Sequence, residues 1–235
     1  MTVFTRGRSR LFGALALALF CGGGFAASSL FNISHHGIEH YPAIHSFWMD
    51  AEIPFVSGWV WVYILYYPFC FLPLFLKEVR NDPETFTRTV TAFSVQFAVS
   101  FTVFLLWPLR MAHPGLPQGL NGLILKKLYA VDLGFSSFPS LHLANIVFVS
   151  LLFLRLRGWR RGAVVFCVAA LIAASTLLVK QHFISDVLAG ALLGWISFAM
   201  TFGLPHDVIH MYYKLSRAHE STSTLQRPRS TSQPS

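Results

Sequence analysis

The chain has 235 residues, of which 54% are hydrophobic and 12% charged, with a mean hydropathy of +0.54. A soluble domain carries about 25% charged residues, so a water-soluble globule is excluded, and the same apolarity excludes a disordered polymer. The formal net charge of +8 fits either nucleic acid or basic loops on one side of a membrane, and the positions of the charges favour the loops.

A membrane span needs about 20 largely apolar residues. Six segments meet this in chain order: Leu11 to Ile33, Gly58 to Leu76, Thr89 to Trp107, Pro139 to Leu156, Gly162 to Val179 and Ile184 to Leu204. The sequence thus predicts an all-α polytopic membrane protein with six transmembrane helices. Arg6, Arg8 and Arg10 before a Leu/Ala run and Ala26-Ala27-Ser28 resemble a signal peptide. Apolarity continues to Leu30 and Phe31, so the segment reads as a span. Residues 1–215 form the expected membrane domain, with its core at 58–204. The Ser/Thr/Gln/Pro/Arg-rich stretch 216–235 is expected to be a disordered cytoplasmic tail.

With the N-terminus in the cytoplasm, 14 of the 18 Lys and Arg fall on the cytoplasmic side. Arg110, Lys126, Lys127 and Lys180 remain on the outer face, with seven of the ten His. This asymmetry follows the positive-inside rule and accounts for the net charge without nucleic acid. Cys21, Cys70 and Cys167 all lie in apolar stretches, so neither a disulfide framework nor a zinc knuckle is expected.

Two short stretches carry chemistry. Phe138-Pro139-Ser140-Leu141-His142 opens the fourth span, and Lys180-Gln181-His182-Phe183-Ile184-Ser185-Asp186 lies between the fifth and sixth. One span in and one back bring His142 and His182 to the same outer face. Pro139 suits the first turn of a helix, which would place Ser140 and His142 beside free amides at a positive helix end, an anion site. In helical geometry Asp186 lies beside His182, where it would fix the tautomer and raise the basicity of the other ring nitrogen. His182 is therefore the candidate nucleophile, and His142 the acid for the leaving oxygen. Lys180 and Arg110 are the candidate phosphate-binding cations. A carboxylate at the mouth of an apolar span is costly and points to function. His35-His36-x2-Glu39-His40 has a metal-like composition without the H-E-x-x-H spacing, and no metal or other cofactor is expected. The connection of about 30 residues before the fourth span holds Asn121, Lys126, Lys127, Tyr129 and Asp132 and reads as a lid or headgroup loop, with Lys126 or Lys127 as a further phosphate-binding cation.

At these residues the chain resembles the membrane-bound type-2 phosphatidic acid phosphatase (PAP2) superfamily, whose motifs read roughly K-x6-R-P, P-S-G-H and S-R-x5-H-x3-D. Pro139-Ser140-Leu141-His142 is similar to the second, with Leu141 in the Gly position. Ser175 and His182-x3-Asp186 are similar to the third, with Thr176 in the Arg slot. The first is weak: if Arg110 is its Arg, Val103 stands where Lys is expected. The pattern also resembles the inositol phosphorylceramide synthase branch, in whose flavour Asp50-x2-Ile53-Pro54-Phe55, Trp59 and Tyr63 share. The resemblance implies a PAP2-like helical bundle and metal-independent cleavage of a lipid-linked phosphate through a phosphohistidine. The acceptor is water in a phosphatase, or an alcohol in a headgroup transferase of sphingolipid type. The expected partner is a lipid phosphate within the membrane, and the expected setting is a bacterial inner membrane, with the site on the periplasmic face and both termini cytoplasmic. Two other classes compete: a transporter, which should show polar groups at mid-span, and an inactive structural protein of the same fold.

Overall fold

The computed structural model describes residues 19, 21–34, 48–107, 111, 113–132 and 137–203. Among these there is no strand. Residues Met1–Thr201 form one compact unit, and of the other, Phe202–Ser235, only residues 202 and 203 are described. The expected tail, 216–235, lies outside the described residues.

Residues 21–34 form helix α1. The following helices are α2 (Trp48–Glu52), a 3-10 turn (Ser57–Trp59), α3 (Val60–Ile64), α4 (Tyr66–Phe75), α5 (Lys77–Asn81) and α6 (Pro83–Leu106). They are followed by α7 (Leu120–Asp132), α8 (Leu141–Arg157), α9 (Trp159–Leu178) and α10 (Ile184–Phe202). Four segments are long and apolar enough to cross a membrane: Ser57–Phe75, Pro83–Leu106, Trp159–Leu178 and Ile184–Phe202. The expected first span is described only in part. The expected fourth, α8, is 17 residues long with Arg155 and Arg157 in its last turn.

The expected second span is interrupted between α3 and α4. Pro68 has no N–H to give to the carbonyl of Ile64, four residues back, and its ring crowds that carbonyl. The helix breaks there, at Leu65. The third span starts earlier than its apolar run because Asp82 caps it, accepting from Thr85 N at 2.9 Å, with Pro83 at the first helical position.

Helix α8 buries residues all round its circumference from Leu141 to Leu152, as a central helix does, and it touches α4, α6 and α9. On its fourth side Gly190 and Gly194 of α10 meet it so closely that an added Cβ would collide with the carbonyl oxygens of Ser140 and Ala144. Small residues four apart let two backbones approach in this way. Gly158, at φ +77°, makes the tight turn from α8 to α9. Phe148 of α8 sits between Phe93 of α6 and Phe198 of α10, at ring separations of 5.1 and 6.1 Å. The buried Gln96 Nε2 donates to Ser197 Oγ at 2.7 Å, joining α6 to α10 at mid-span.

Helix α7 stands where the sequence suggested an irregular loop. It is too short to register as a span, but Leu125 and Tyr129 share one face, and they pack with Val60, Tyr63 and Val179. Lys126 and Lys127 are exposed.

Candidate active site

The turn between α9 and α10 is built by its backbone. Gln181 N donates to Thr176 O at 2.9 Å and Lys180 N to Leu177 O at 3.1 Å, the two bonds of a Schellman ending. That motif needs a left-handed residue, usually glycine. Here it is Lys180, at φ +51°, a conformation with a steric cost for any residue bearing a Cβ. Its side chain shows what the residue does there: Nζ donates to the carbonyls of Ile53 and Asp50 at 2.6 and 3.2 Å. Asp50 answers in the other direction, its Oδ1 accepting from Ile184 N at 2.9 Å, one of the amides left unpaired at the start of α10. Helix α2 with the residue that follows it, and the turn before α10, are thus strapped together in both directions.

His182 lies before α10 rather than on it, so the helical spacing expected between His182 and Asp186 is not the cause of their proximity. Asp186 sits in the first turn of α10 and reaches back, Oδ2 accepting from Phe183 N at 2.9 Å, as the acidic member of a capping box does. The same oxygen lies 3.6 Å from His182 Nδ1, a contact longer than a hydrogen bond. Ser185 Oγ donates to the other oxygen at 3.4 Å. His182 and Asp186 are 2% and 1% exposed, so the carboxylate oxygens find their hydrogen bonds in these protein groups and not in bulk water.

His142 faces this pair from the start of α8. Its Nδ1 is 2.9 Å from His182 Nε2, and its Nε2 is 2.7 Å from Tyr63 Oη. The Tyr66 ring lies against it, centroids 4.2 Å apart and planes at 47°, and Asn145 Nδ2 donates to Tyr66 Oη at 2.7 Å. Pro139 precedes the helix instead of entering its first turn. The cap is Ser140, buried, with Oγ accepting from Leu143 N at 3.3 Å and its own N–H donating to Asp186 O at 3.1 Å.

The three expected catalytic residues, His142, His182 and Asp186, are therefore brought together, with Ser140 tied to Asp186 and Lys180 in the turn two residues before His182. Lys127 stays on the exposed side of α7, and Arg110 lies outside the described residues, as do His35, His36 and His40. Among the described residues no group of His, Cys, Asp and Glu could hold a metal ion. In the motif Arg slot, Thr176 is buried and its hydroxyl donates to Ala173 O at 2.7 Å within its own helix. Tyr129 Oη donates to Val179 O at 2.6 Å, fastening α7 to the turn. Burial pushes its phenol up to about 12.

Sequence reasoning missed the supporting residues. Asn145 is three residues from His142 and hence on the same face of α8, a signal that was available. Tyr66 and the strap from Lys180 had none, because a break at Leu65 and a left-handed lysine leave no periodic trace. An apolar cavity of about 310 Å³ shares Tyr66 and Asn145 with this cluster and reaches Phe93, Phe97 and Cys70.

Compared with family models, residues 67–209, more than half of the chain, match the model described as PAP2 superfamily. Neither curated proteins nor solved structures yield a match.

Proposed function

Because the chain belongs to the PAP2 superfamily, we propose that it is an integral membrane phosphatase or phosphotransferase that acts on a lipid-linked phosphate through a phosphohistidine at His182. The observation that carries this reading is the line Asp186, His182, His142. His182 Nε2 attacks phosphorus while Asp186 orients the ring and offsets the charge that develops on it. His142 gives its Nδ1 proton to the leaving oxygen and later takes one from the incoming water. No metal is called for in either step.

Lys180 has a third N–H beyond the two held by carbonyls, and this is the donor for a phosphate oxygen. The Ser140 hydroxyl, Arg110 and Lys127 complete the proposed phosphate contacts. The cavity beside Tyr66 gives room for an apolar chain of the lipid. The fuller topology is six spans, adding α1 and α8 to the four long apolar segments, in a 1–215 domain of a bacterial inner membrane with the site on the outer face. Hydrolysis is the main reading. Transfer to an alcohol, as in inositol phosphorylceramide synthases, is the second, favoured by Thr176 in the Arg slot.

Purified protein offered a panel of lipid phosphates, with and without alcohol acceptors, tests this. Free phosphate is expected, or a new headgroup lipid when the acceptor takes part, with activity surviving EDTA. An acid-labile phosphoryl label should appear on the wild type and vanish in His182→Ala. A folded protein that releases and transfers nothing across the panel overturns the reading.

A further inference from the structure

The apolar cavity starts beside the catalytic cluster and leads away from it. Its walls include Tyr66 to Leu74 of α4 and Phe86 to Phe97 of α6, a length of about 16 Å at the helical rise, which suits one extended chain of about a dozen carbons. At the near end the Tyr66 ring lies against His142. Most of the wall is hydrocarbon, and the Thr89 hydroxyl is spent on Thr85 O at 2.7 Å within α6. Asn145 differs. It is a wall residue, 2% exposed, with Nδ2 held by Tyr66 Oη at 2.7 Å, yet its Oδ1 accepts from no group among the described residues. An amide oxygen left without a donor is costly in an apolar interior, and a folded protein that keeps one needs a reason.

We propose that Asn145 Oδ1 selects lipid phosphates that carry a hydroxyl or amide N–H close to the ester oxygen, on a single apolar chain that continues down the cavity. This rests on the phosphohistidine reading and deepens it by naming the substrate class. Asn145 is three residues past His142 on α8, on the same face and about 4.5 Å further from the start of the helix. A leaving oxygen that takes its proton from His142 therefore brings the chain to the level of Asn145 within about two or three bonds. One turn further along α8, Phe148 packs on Phe93, and only hydrocarbon suits that depth. An entering chain has to part the side chains that cover Oδ1. A donor at that level then gives the amide oxygen the bond that the closed wall denies it. A plain alkyl chain leaves it buried and unpaired, and a site built around a polar partner rejects such an analogue more strongly than it rejects a missing methylene. Tyr66 sets the sense of the recognition: with Nδ2 on its hydroxyl, the free atom is an acceptor, so the ligand group is a donor.

Dodecyl, 2-hydroxydodecyl and 2-oxododecyl phosphate differ only at the atom in question. The wild type should favour the hydroxylated lipid over the plain one about tenfold in kcat/KM, the scale of one buried hydrogen bond. Asn145→Leu, of similar size but without polar atoms, should bring that ratio near unity, chiefly by losing activity on the hydroxylated lipid. Comparing ratios between proteins cancels the intrinsic difference between the two alcohols. Tyr66→Phe keeps the ring against His142 and frees the amide to turn, so it should narrow the gap between the 2-hydroxy and 2-oxo lipids. It decides the matter if Asn145→Leu does not fold. Equal wild-type rates on the hydroxylated and plain lipids, as expected if Oδ1 merely holds a water, overturn the proposal. So do a wild-type preference for the 2-oxo lipid, whose carbonyl only accepts, a hydroxyl preference that survives in folded Asn145→Leu, and a gap untouched by Tyr66→Phe. Binding separates the proposal from the chemistry beneath it. His182→Ala in detergent should be stabilised against heat at lower concentrations of 2-hydroxydodecyl phosphate than of dodecyl phosphate. That preference, with no wild-type turnover of any of the three lipids, would sink the phosphohistidine reading alone, whereas turnover without the preference would sink the role of Asn145 alone.

Discussion

Lys180 does two jobs that substitution can separate. Its left-handed backbone favours glycine, whereas its ammonium is needed for the carbonyls of Asp50 and Ile53 and, in the proposed mechanism, for phosphate. Lys180→Gly and Lys180→Ala both lose the ammonium, but only glycine relieves the backbone. The glycine variant should therefore be more stable than the alanine variant by about 1 kcal/mol, read from denaturation in detergent. Both should lose turnover by a few hundredfold, the scale of removing a donor to a developing anion. Recovery of turnover in Lys180→Gly would mean that the backbone, not the charge, is what the site requires. Asp50 gives a second contrast. Asn still offers an oxygen to Ile184 N, so Asp50→Asn should be mild, while Asp50→Ala should lower stability by about 1 kcal/mol as the loss of a helix cap does. Comparable losses in the two variants would show that the negative charge, rather than the cap, is what counts.

Between elements, the closest approach is that of α10 to α8. A side chain at position 194 cannot be accommodated without separating the two helices, and those helices carry Asp186 and His142. Gly194→Val should cost about 1–3 kcal/mol, as overpacking does, and reduce turnover although position 194 lies two turns from the chemistry. A variant with unchanged thermal stability would show that the two backbones are not held this close. The elements also show what a sequence can tell. Long apolar runs marked α6, α9 and α10 because each is a single uninterrupted helix. The interruption at Leu65 is harder to see: Pro68 is visible, but its effect falls on the carbonyl four residues upstream. Helix α7 was missed because amphipathic packing on a few residues leaves a weaker trace than a span. The histidines and Asp186 were legible through their spacing, yet the reason for their contact was not. A capping turn, rather than a helix, brings Asp186 to His182.

Across the whole molecule, two ends can be told apart. At one, Arg157 donates to Glu78 at 2.9 Å, tying α8 to α5. At the other lie His142, the α9–α10 turn and α7, the last joined to the start of the second span by Trp61 Nε1 donating to Asn121 Oδ1 at 3.0 Å. In the proposed orientation the first end faces the cytoplasm. In a background free of Cys21, Cys70 and Cys167, Lys127→Cys should be labelled by an impermeant reagent from outside, and Arg80→Cys and Arg160→Cys only from inside. The reverse pattern would invert the site. The strap at the active end joins residues 127 to 134 positions apart in the chain, and synthesis runs from the N-terminus. When α8 has left the ribosome, Tyr63, Tyr66 and His142 already exist, but His182 and the lysine that anchors its turn do not. Under the proposed mechanism a nascent chain therefore cannot attack a phosphate until the turn between α9 and α10 has been made, and that turn brings the nucleophile with it.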